Sequence, residues 1–189
     1  MRRLYIKERN LNMGNMIRLE TASLNPPLRF RELLKDLGDG ENGFMGTPVH
    51  SGKTTLEEYL QQCRDMPDPT KLRPGLVPQT VFWVLNDASE AIGIVRLRHY
   101  LNDKLHVHGG HIGYYIRRNQ RGKGYGKQML ALALDELRKL GGKRALITTD
   151  PDNLPSIRII EANCGQFSDL SIDPETGAKY RRYWVDLEQ

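Results

Sequence analysis

The sequence of 189 residues contains only two cysteines, Cys63 and Cys164, which lie far apart in the chain. Small secreted domains that depend on disulfides are much richer in cysteine, so this class of protein is excluded. The sequence also lacks an apolar run of about 18 residues and an N-terminal signal peptide, which argues against a membrane-spanning helix and against export. We therefore expect a protein of the reducing cytoplasm with no membrane partner.

Aromatic residues are few, at 7% of the chain, whereas Lys and Arg exceed Asp and Glu by 28 to 23 and give a net charge of +5. A basic nucleic-acid-binding surface normally interleaves its positive charges with aromatic side chains that stack on bases. The most basic segment, residues 117–127, has little of this pattern. We therefore expect a small polyanionic ligand, and a basic nucleic-acid-binding domain is the weaker alternative.

The length suits a single domain, because most domains contain ~100–150 residues. Residues 1–15 are polar and basic, and we interpret them as an N-terminal extension of one domain that spans residues 16–189. Four prolines between residues 66 and 79 predict a loop rather than a domain boundary.

Apolar periodicity predicts the helices and strands. Spacings of three and four residues mark helices that carry Phe30, Leu56 and Leu130, and Thr54 and Glu57 are expected to form the capping box of the second helix. Runs of β-branched and aromatic residues predict strands at 16–19, 80–85, 91–98, 111–116, 145–149 and in a final hairpin up to residue 187. This order of elements indicates an α/β fold of the α+β type with a mixed, mostly antiparallel sheet.

The segment NQRGKGYGKQMLALALDELRKLGG, Asn119–Gly142, places Gly122, Gly124 and Gly126 just before a helical run. Glycine tolerates positive φ angles and lets a ligand approach the main chain closely. A glycine loop at the start of a helix aims unpaired N–H groups at one point, where the helix dipole favours anions. The basic residues around this loop strengthen the prediction of a phosphate-binding site.

Two other phosphate-binding patterns fit this sequence less well. A dinucleotide fingerprint needs its third glycine where this sequence has Lys127. The segment GTPVHSGKT, residues 46–54, resembles a P-loop, but five residues instead of four separate its glycines. Neither pattern therefore accounts for a phosphate site.

The hexapeptide Arg121–Gly126 is similar to the R/Q-x-x-G-x-G/A pyrophosphate loop of the GNAT N-acetyltransferase family. The resemblance extends from about Met16 to the C-terminus, and the segments LRHYLN and GGHIGYYIRR resemble those of one bacterial subgroup of the family. It implies the GNAT acyl-CoA N-acyltransferase fold, with about six or seven strands flanked by about four helices. It also implies acetyl-CoA as the cosubstrate, no metal, and a primary amine acceptor on a small molecule or a protein.

In this family, the strand before the loop pairs its free backbone groups with the pantetheine arm of acetyl-CoA, and the helix after the next strand lies beside that arm. The resemblance therefore assigns cofactor binding to the strand, to the loop and to an N-x-x-S motif. The implied residues are Tyr114, Ile116, Arg117, Arg118, Arg121, Gly122, Lys123, Gly124, Tyr125, Gly126, Lys127, Asn153 and Ser156. For Asn153 and Ser156, an ordinary helix cap is an equally good interpretation.

Direct transfer to an amine needs a base more than an acid, because a lysine-like amine has a pKa of about 10.4 and a thiol one of about 8.5. We predict that His111 is this base, since the usual histidine pKa of about 6.5 suits the task. If His111 is structural instead, Glu90, His99 or a bound water takes the role. Ile160 stands where many family members have a tyrosine acid, so water, Cys164 or a tyrosine from another strand is expected to protonate the thiolate.

Five residues are predicted to contact the acceptor. Arg96, Arg98 and His99 are candidates for holding an acidic group, and Tyr115 and Trp184 are candidates for lining the pocket. Ordinary ion pairing and core packing are the alternatives for these residues. The acceptor itself and the formation of a homodimer stay open, and so does a second function, an acyl-CoA-binding sensor module of the same fold without turnover.

Overall fold

The computed structural model describes residues 16–188, so the predicted extension at 1–15 lies outside the described residues. The strands of this part are β1 (Ile17–Thr21), β2 (Gly40–Glu41), β3 (Phe44–Met45), β4 (Gln79–Asn86), β5 (Ala91–Arg98), β6 (Ile112–Ile116), β7 (Arg144–Thr149), β8 (Gln166–Ile172) and β9 (Lys179–Asp186). The α-helices are α1 (Phe30–Leu37), α2 (Leu56–Asp65), α3 (Asp103–Val107), α4 (Tyr125–Lys139) and α5 (Leu154–Glu161). Across residues 16–188, no helix has both the length and the apolar character needed to cross a membrane.

Seven of the strands form two antiparallel sheets, in the orders β1-β4-β5-β6 and β7-β9-β8. The strands β2 and β3 form a separate short hairpin. The predicted α+β fold with a mostly antiparallel sheet is therefore confirmed. The sheet is divided, however, because no ladder joins β6 to β7 within residues 16–188.

Helices cover both faces of the larger sheet. On one face, α4 packs onto the strands through Met129 and Leu130, both fully buried. On the other face, α1 packs against β4, where the rings of Phe30 and Trp83 lie 5.3 Å apart. Because β4 and β5 send alternate side chains into these two apolar layers, both strands are hydrophobic along most of their length.

The helix faces predicted from periodicity are confirmed. The buried residues of α1 and α2 are Phe30, Leu33, Leu34, Leu37, Leu56, Tyr59, Leu60 and Cys63. The capping box of α2 begins one residue later than predicted, since Thr55 Oγ1 accepts the Glu58 N–H and the Glu58 carboxylate accepts the Thr55 N–H. The hairpin β2–β3 and the helix α3 are additional elements that periodicity does not predict.

Two residues hold β6 and β7 together where β6 begins. The His111 N–H donates to the Leu146 carbonyl over 2.7 Å, and the Leu146 N–H donates to His111 Nδ1 over 2.9 Å. Next to them, a Cβ atom on Gly110 would lie only 2.4 Å from the Leu146 carbonyl oxygen. We call Gly110, His111 and Leu146 the strand junction. Beyond it the two strands separate and leave a gap.

Candidate functional site

A cavity of about 1000 Å³ occupies this gap and reaches both faces of the larger sheet. The wall of one end, which we call the glycine end, includes Gln120, Arg121, Gly122, Gly124, Tyr125, Gly126, Lys127, Asn153, Pro155, Ser156, Arg158 and Ile159. The wall of the other end, which we call the hairpin end, includes Glu41–Met45, Arg96, Arg98, Asp103, Lys104, His108, Thr149, Asp150, Asp173, Glu175 and Tyr180. The strand β6 lines the cavity between the two ends.

The glycine loop ends at Gly124, the N-cap of α4, which has a φ angle of 82°. A Cβ atom on Gly122 or Gly124 would meet nothing within 4 Å, so a ligand can approach the main chain at both positions. The N–H groups of these two glycines have no main-chain acceptor within residues 16–188. The wall also contains Lys127 and Arg158, and the 15-residue helix α4 begins directly after Gly124. Because both positive side chains and the start of a helix attract negative charge, the glycine end suits an anion.

The third glycine of the loop, Gly126, is explained by helix packing. A Cβ atom at this position would lie 2.5 Å from Ile159 Cδ1, because α4 and α5 pack closely there. Gly126 therefore allows the two helices to approach each other. Its presence in the loop is not evidence of ligand approach by itself.

The main chain of β6 leaves hydrogen-bonding groups free in the gap. Arg98 N–H donates to the His111 carbonyl, and Arg117 N–H donates to the Ile92 carbonyl. Because hydrogen bonds alternate along an antiparallel ladder, the N–H groups of Tyr114 and Ile116 point away from β5 and toward β7. These are the two strand residues that the family resemblance assigns to the pantetheine arm.

The first turn of α5 lies against β6 through a pair of hydroxyl groups. Tyr114 Oη is 2.7 Å from Ser156 Oγ, and Asn153 Oδ1 accepts the Ser156 N–H over 3.1 Å as the N-cap of α5. Burial raises the pKa of Tyr114 to about 12, so its hydroxyl stays protonated at neutral pH. Asn153 therefore caps the helix, Ser156 belongs to its first turn, and both residues line the cavity.

Three of the predicted cofactor residues, Arg117, Arg118 and Lys123, are not part of the cavity wall. The buried Arg117 guanidinium donates to the Glu32 carboxylate over 3.0 Å. Arg118 donates its N–H to the Asp36 carboxylate over 2.9 Å. These two arginines therefore hold α1 onto the end of β6. Their predicted role in cofactor binding stays a prediction, and the positions of their side chains do not support it.

Arg121 does lie on the wall and fixes the loop in place. Its Nε donates to the Ile116 carbonyl over 2.9 Å, and its guanidinium pairs with Glu41 of the hairpin. The same group lies over the Tyr115 ring, with 5.2 Å to the centroid. Arg121 thus connects the glycine loop, β6 and the β2–β3 hairpin.

His111, the predicted base, belongs to the strand junction. Its Nδ1 accepts a hydrogen bond from Leu146, and the residue is not part of the cavity wall. Burial lowers the pKa of His111 to about 4. This geometry favours the structural alternative, and the catalytic role of His111 stays a prediction.

The strand junction is expected to make stability depend on pH. The pKa of His111 is about 4 in the folded protein and about 6.5 in the unfolded chain. The unfolded state therefore binds more protons between these values, and stability is lost as the pH falls through this range. We expect His111→Asn, whose Oδ1 replaces Nδ1 as acceptor, to lose less stability than the wild type between about pH 7 and pH 5 in urea unfolding.

Equal losses in the two proteins would contradict this prediction. The same variant also tests whether His111 is the catalytic base, because asparagine removes the titrating imidazole and keeps an acceptor for the Leu146 N–H. A stably folded His111→Asn protein with a large loss of kcat would restore His111 as the catalytic base.

Three of the five predicted acceptor contacts, Arg96, Arg98 and Tyr115, lie on the cavity wall. His99 instead lies 2.8 Å from a threonine hydroxyl of β4, and Trp184 packs under an arginine of β7. Neither residue is part of the wall. Their positions therefore do not support the predicted contacts with an acceptor.

Arg96 and Arg98 bring positive charge to the hairpin end. Arg98 donates to the carbonyls of Gly109 and Gly110, both over 2.9 Å, and Arg96 lies over the Phe44 ring at 4.5 Å. Within residues 16–188, no carboxylate pairs with either guanidinium, and burial lowers the pKa of Arg98 to about 10. A buried cation without a counter-ion is destabilised, and an anionic ligand would relieve this cost.

Most of the other residues considered as the acid or as the base lie outside the cavity wall. Ile160 is fully buried in the apolar core and does not line the cavity. Cys164 is exposed, Glu90 pairs with Arg29 over 2.6 Å, and neither is part of the wall. Three tyrosines of the strands do line the cavity, namely Tyr114, Tyr115 and Tyr180, and the hydroxyl of Tyr114 faces α5.

Several wall residues of the hairpin end are missed by sequence reasoning. They are Phe44, His108, Thr149, Asp150, Asp173 and Tyr180. The sequence does indicate the hairpin, because the pair Asn42-Gly43 is typical of a two-residue hairpin turn. In the structure both residues have the positive φ angles of such a turn, 49° and 78°. A carboxylate directly after a strand, as at Asp150, was a second signal. No sequence pattern distinguishes His108 from the neighbouring histidines as a residue of the cavity wall.

A model of the Acetyltransferase (GNAT) family matches residues 51–166, which is more than half of the chain. A comparison with curated proteins gives no significant match.

Solved structures share the fold at low sequence identity. The yncA protein of Salmonella typhimurium, in a structure that holds its cofactor acetyl-CoA, is 13% identical, with a TM-score of 0.61 over 93% of this chain and 95% of that one. The spermidine/spermine N-acetyltransferase SpeG of Vibrio cholerae is 14% identical, with a TM-score of 0.63 over 90% and 94%. The acetyl transferase of Salmonella typhimurium that modifies the N-terminal serine of ribosomal protein L7/L12 is 14% identical, with a TM-score of 0.65 over 91% and 95%.

Proposed function

Because the chain belongs to the Acetyltransferase (GNAT) family, we propose that it transfers an acetyl group from acetyl-CoA to a primary amine, directly and within a ternary complex. The observation that carries this proposal is one continuous cavity, which extends from a helix start suited to anions to a separate polar end. Two such ends suit a cofactor and an acceptor that are bound at the same time. The similar yncA structure holds acetyl-CoA, which supports the choice of cofactor.

The glycine end fits the phosphates of acetyl-CoA because its main chain is open at Gly122 and Gly124, whose N–H groups have no main-chain acceptor within residues 16–188. We assign the pyrophosphate to residues 121–127 and the pantetheine arm to the main chain of Tyr114 and Ile116, with Asn153 and Ser156 beside it. When bound, acetyl-CoA supplies the activated acetyl thioester.

The remaining chemistry falls to groups of this chain. The free N–H groups of β6 can stabilise the negative charge that develops on a carbonyl oxygen, a contribution of ~3 kcal/mol for one well-placed donor. The departing thiolate can take a proton from water or from the Tyr114 hydroxyl, which is a weak acid because burial raises its pKa to about 12. Since a thiol has a pKa of about 8.5, this second contribution is the smaller one.

The hairpin end is the proposed acceptor site. Arg96 and Arg98 are assigned to an acidic group of the acceptor, because no carboxylate among residues 16–188 pairs with them. Tyr115 of β6 lies next to this end, with its ring 6.2 Å from that of Phe44, and its hydroxyl donates to the Asp36 carboxylate over 2.7 Å, which fixes the ring. The structurally similar enzymes are named for different acceptors, a polyamine and a protein N-terminus, so the acceptor of this chain is inferred from its own side chains.

This assignment predicts a preference between two matched acceptors. We expect glycine to be a better acceptor than glycinamide, and we expect Arg96→Met to reduce the ratio of their kcat/KM values about tenfold, the effect of ~1.4 kcal/mol. Methionine keeps an apolar side chain over Phe44 and removes the charge. Lys104→Met is the control, because the Lys104 charge is already paired with Glu175 over 3.1 Å. A ratio that is unchanged in Arg96→Met would contradict the assignment.

The proposed function is tested by release of free thiol from acetyl-CoA over a panel of amines, with calorimetry of coenzyme A binding in parallel. We expect binding and amine-dependent release. Binding without release for any amine would favour the sensor module. Salt-sensitive nucleic-acid binding without affinity for coenzyme A would favour the nucleic-acid-binding domain.

A further inference from the structure

The hairpin end contains a histidine that the proposed function has not yet used. The ring of His108, directly after α3, stacks on the ring of Tyr180 in β9, with centroids 4.0 Å apart and planes inclined by 21°. One face of the imidazole is therefore held by an aromatic ring. Both residues line the cavity, and no side-chain hydrogen bond reaches the His108 ring from any residue between 16 and 188.

A carboxylate converges on the same point. A Cβ atom built on Gly43, at the turn of the β2–β3 hairpin, would lie 3.7 Å from His108 Nε2 and 3.9 Å from Asp150 Oδ1. Two acceptor atoms from different parts of the chain therefore face one small volume at the cavity wall. In the described part of the chain, no ion pair or side-chain hydrogen bond occupies the Asp150 carboxylate.

A second unused polar group lies beside this pair. Thr149 lines the cavity and is only 5% exposed, and its Oγ1 has no hydrogen-bond partner within residues 16–188. Buried polar atoms without a partner are uncommon in folded proteins, because each one costs free energy. The unpaired hydroxyl of Thr149 therefore lies directly behind the cavity wall, next to Asp150 in the chain.

The hairpin also connects this point to β6. Phe44, which follows Gly43, lies against the strand, since a Cβ atom on Gly113 would be 3.5 Å from Phe44 Cδ2. Gly113 precedes Tyr114, whose main chain is assigned to the pantetheine arm. A group bound between His108 and Asp150 is therefore close in the structure to the part of β6 where the thioester is expected.

We propose that His108 Nε2 and Asp150 bind the primary amine of the acceptor and that His108 accepts the proton that this amine loses during transfer. The proposal rests on the proposed acetyl transfer. An ammonium first gives one proton to water. The neutral nitrogen then forms a bond to the acetyl carbon, the C–S bond breaks with its electron pair left on sulfur, and one N–H proton passes to His108.

The charges around His108 agree with this role. Burial, the largest effect, and the Arg98 guanidinium on β5 lower the pKa of His108, whereas Asp150 after β7 and Asp173 between β8 and β9 raise it, and the net direction is downward. The imidazole is therefore neutral at pH 7 and able to accept a proton. Activity should be lost as the pH falls through this lowered pKa, which lies below the ordinary value of about 6.5.

The test uses three variants of the full chain: His108→Gln, Asp150→Asn and the control His106→Gln. His106 lies in α3, the short helix that ends just before His108, is exposed, and is not part of the cavity wall. We expect His108→Gln to lower kcat about a hundredfold and to remove the acidic limb of the pH profile, as for a positioned general base. Asp150→Asn should mainly raise the KM for the amine, and His106→Gln should resemble the wild type.

An independent readout does not require turnover. In NMR spectra of the histidine side chains, the His108 signals, identified by their absence in His108→Gln, should shift when butylamine is added and should shift less in Asp150→Asn. Butylamine that leaves these signals unchanged overturns the proposal. A His108→Gln protein that keeps its kcat and its acidic limb overturns it as well. If no amine is acetylated while butylamine still shifts His108, the proposed function fails, and with it the role of His108 as base.

Discussion

A Gly124→Asp variant is expected to bind coenzyme A at least about a hundredfold more weakly than a Gly124→Asn variant. Gly124 is the N-cap of α4 and borders the open main chain of the glycine loop. A carboxylate placed there would repel a bound phosphate. Two unit charges about 5 Å apart repel by ~3 kcal/mol at an effective dielectric constant of 20, which corresponds to more than a hundredfold in affinity.

The comparison with Gly124→Asn separates charge from size. Asn and Asp have nearly the same shape, both tolerate the positive φ angle of this position, and both are favoured as N-caps. A negative charge at a helix start stabilises the helix, so the Asp variant should remain folded. Calorimetry with coenzyme A measures the difference, and thermal unfolding confirms the fold. Equal affinities of the two variants would place the phosphates elsewhere.

The glycine end was predictable because its signals are local in the sequence. The loop and the amphipathic helix behind it lie within Asn119–Gly142, and the alternate glycines and the leucine spacing can be read without knowing the tertiary structure. The structure shows, in addition, that the three glycines of the loop are needed for different reasons. Gly122 and Gly124 leave the main chain open, whereas Gly126 makes room for Ile159.

The hairpin end was not predictable in the same way, because four distant segments build it. The β2–β3 hairpin, the segment around α3, the end of β7 with Asp150, and the turn between β8 and β9 all contribute residues to this wall. None of these segments has a periodic pattern that indicates a shared wall. Only the Asn42-Gly43 turn carried a strong local signal, and it indicates a hairpin without indicating what the hairpin contacts.

The histidines show why spacing alone could not assign the base. His108 and His111 are three residues apart, and the sequence places both of them next to the strand that enters the loop. Between them, Gly109 and Gly110 have φ angles of 106° and 56°, which turn the chain sharply. As a result, the His108 ring reaches the cavity wall, whereas the His111 ring bonds to Leu146 in the strand junction.

The two ends of the cavity carry different charged groups, because different segments of the chain build them. At the glycine end, Lys127 and Arg158 accompany unpaired N–H groups, which favours phosphates. At the hairpin end, Asp150 and Asp173 act on His108, Arg98 donates to the carbonyls of the two residues after His108, and Arg96 lies over Phe44. The hairpin end thus offers acceptors for an amine and donors for an acidic group, which suits an acceptor that carries both.

Gly110→Ala is expected to destabilise the protein much more than Gly141→Ala, although both glycines have positive φ angles, 56° and 85°. Alanine at such an angle costs about 1–2 kcal/mol at either position. At Gly141 a Cβ atom would meet nothing within 4 Å, whereas at Gly110 it would lie 2.4 Å from the Leu146 carbonyl oxygen. Backbone atoms cannot move aside as a flexible side chain can, so β7 would have to shift away from β6.

Such a shift breaks the two hydrogen bonds between His111 and Leu146 that close one side of the cavity. Each bond that leaves a buried group unpaired costs about 1–3 kcal/mol, so the loss in Gly110→Ala should exceed that in Gly141→Ala by at least ~2 kcal/mol. Urea unfolding of both variants measures this difference directly. Similar losses in both would mean that the junction tolerates displacement, and that the gap between β6 and β7 is maintained by the packing of α4 and α5 rather than by the contact of Gly110 with Leu146.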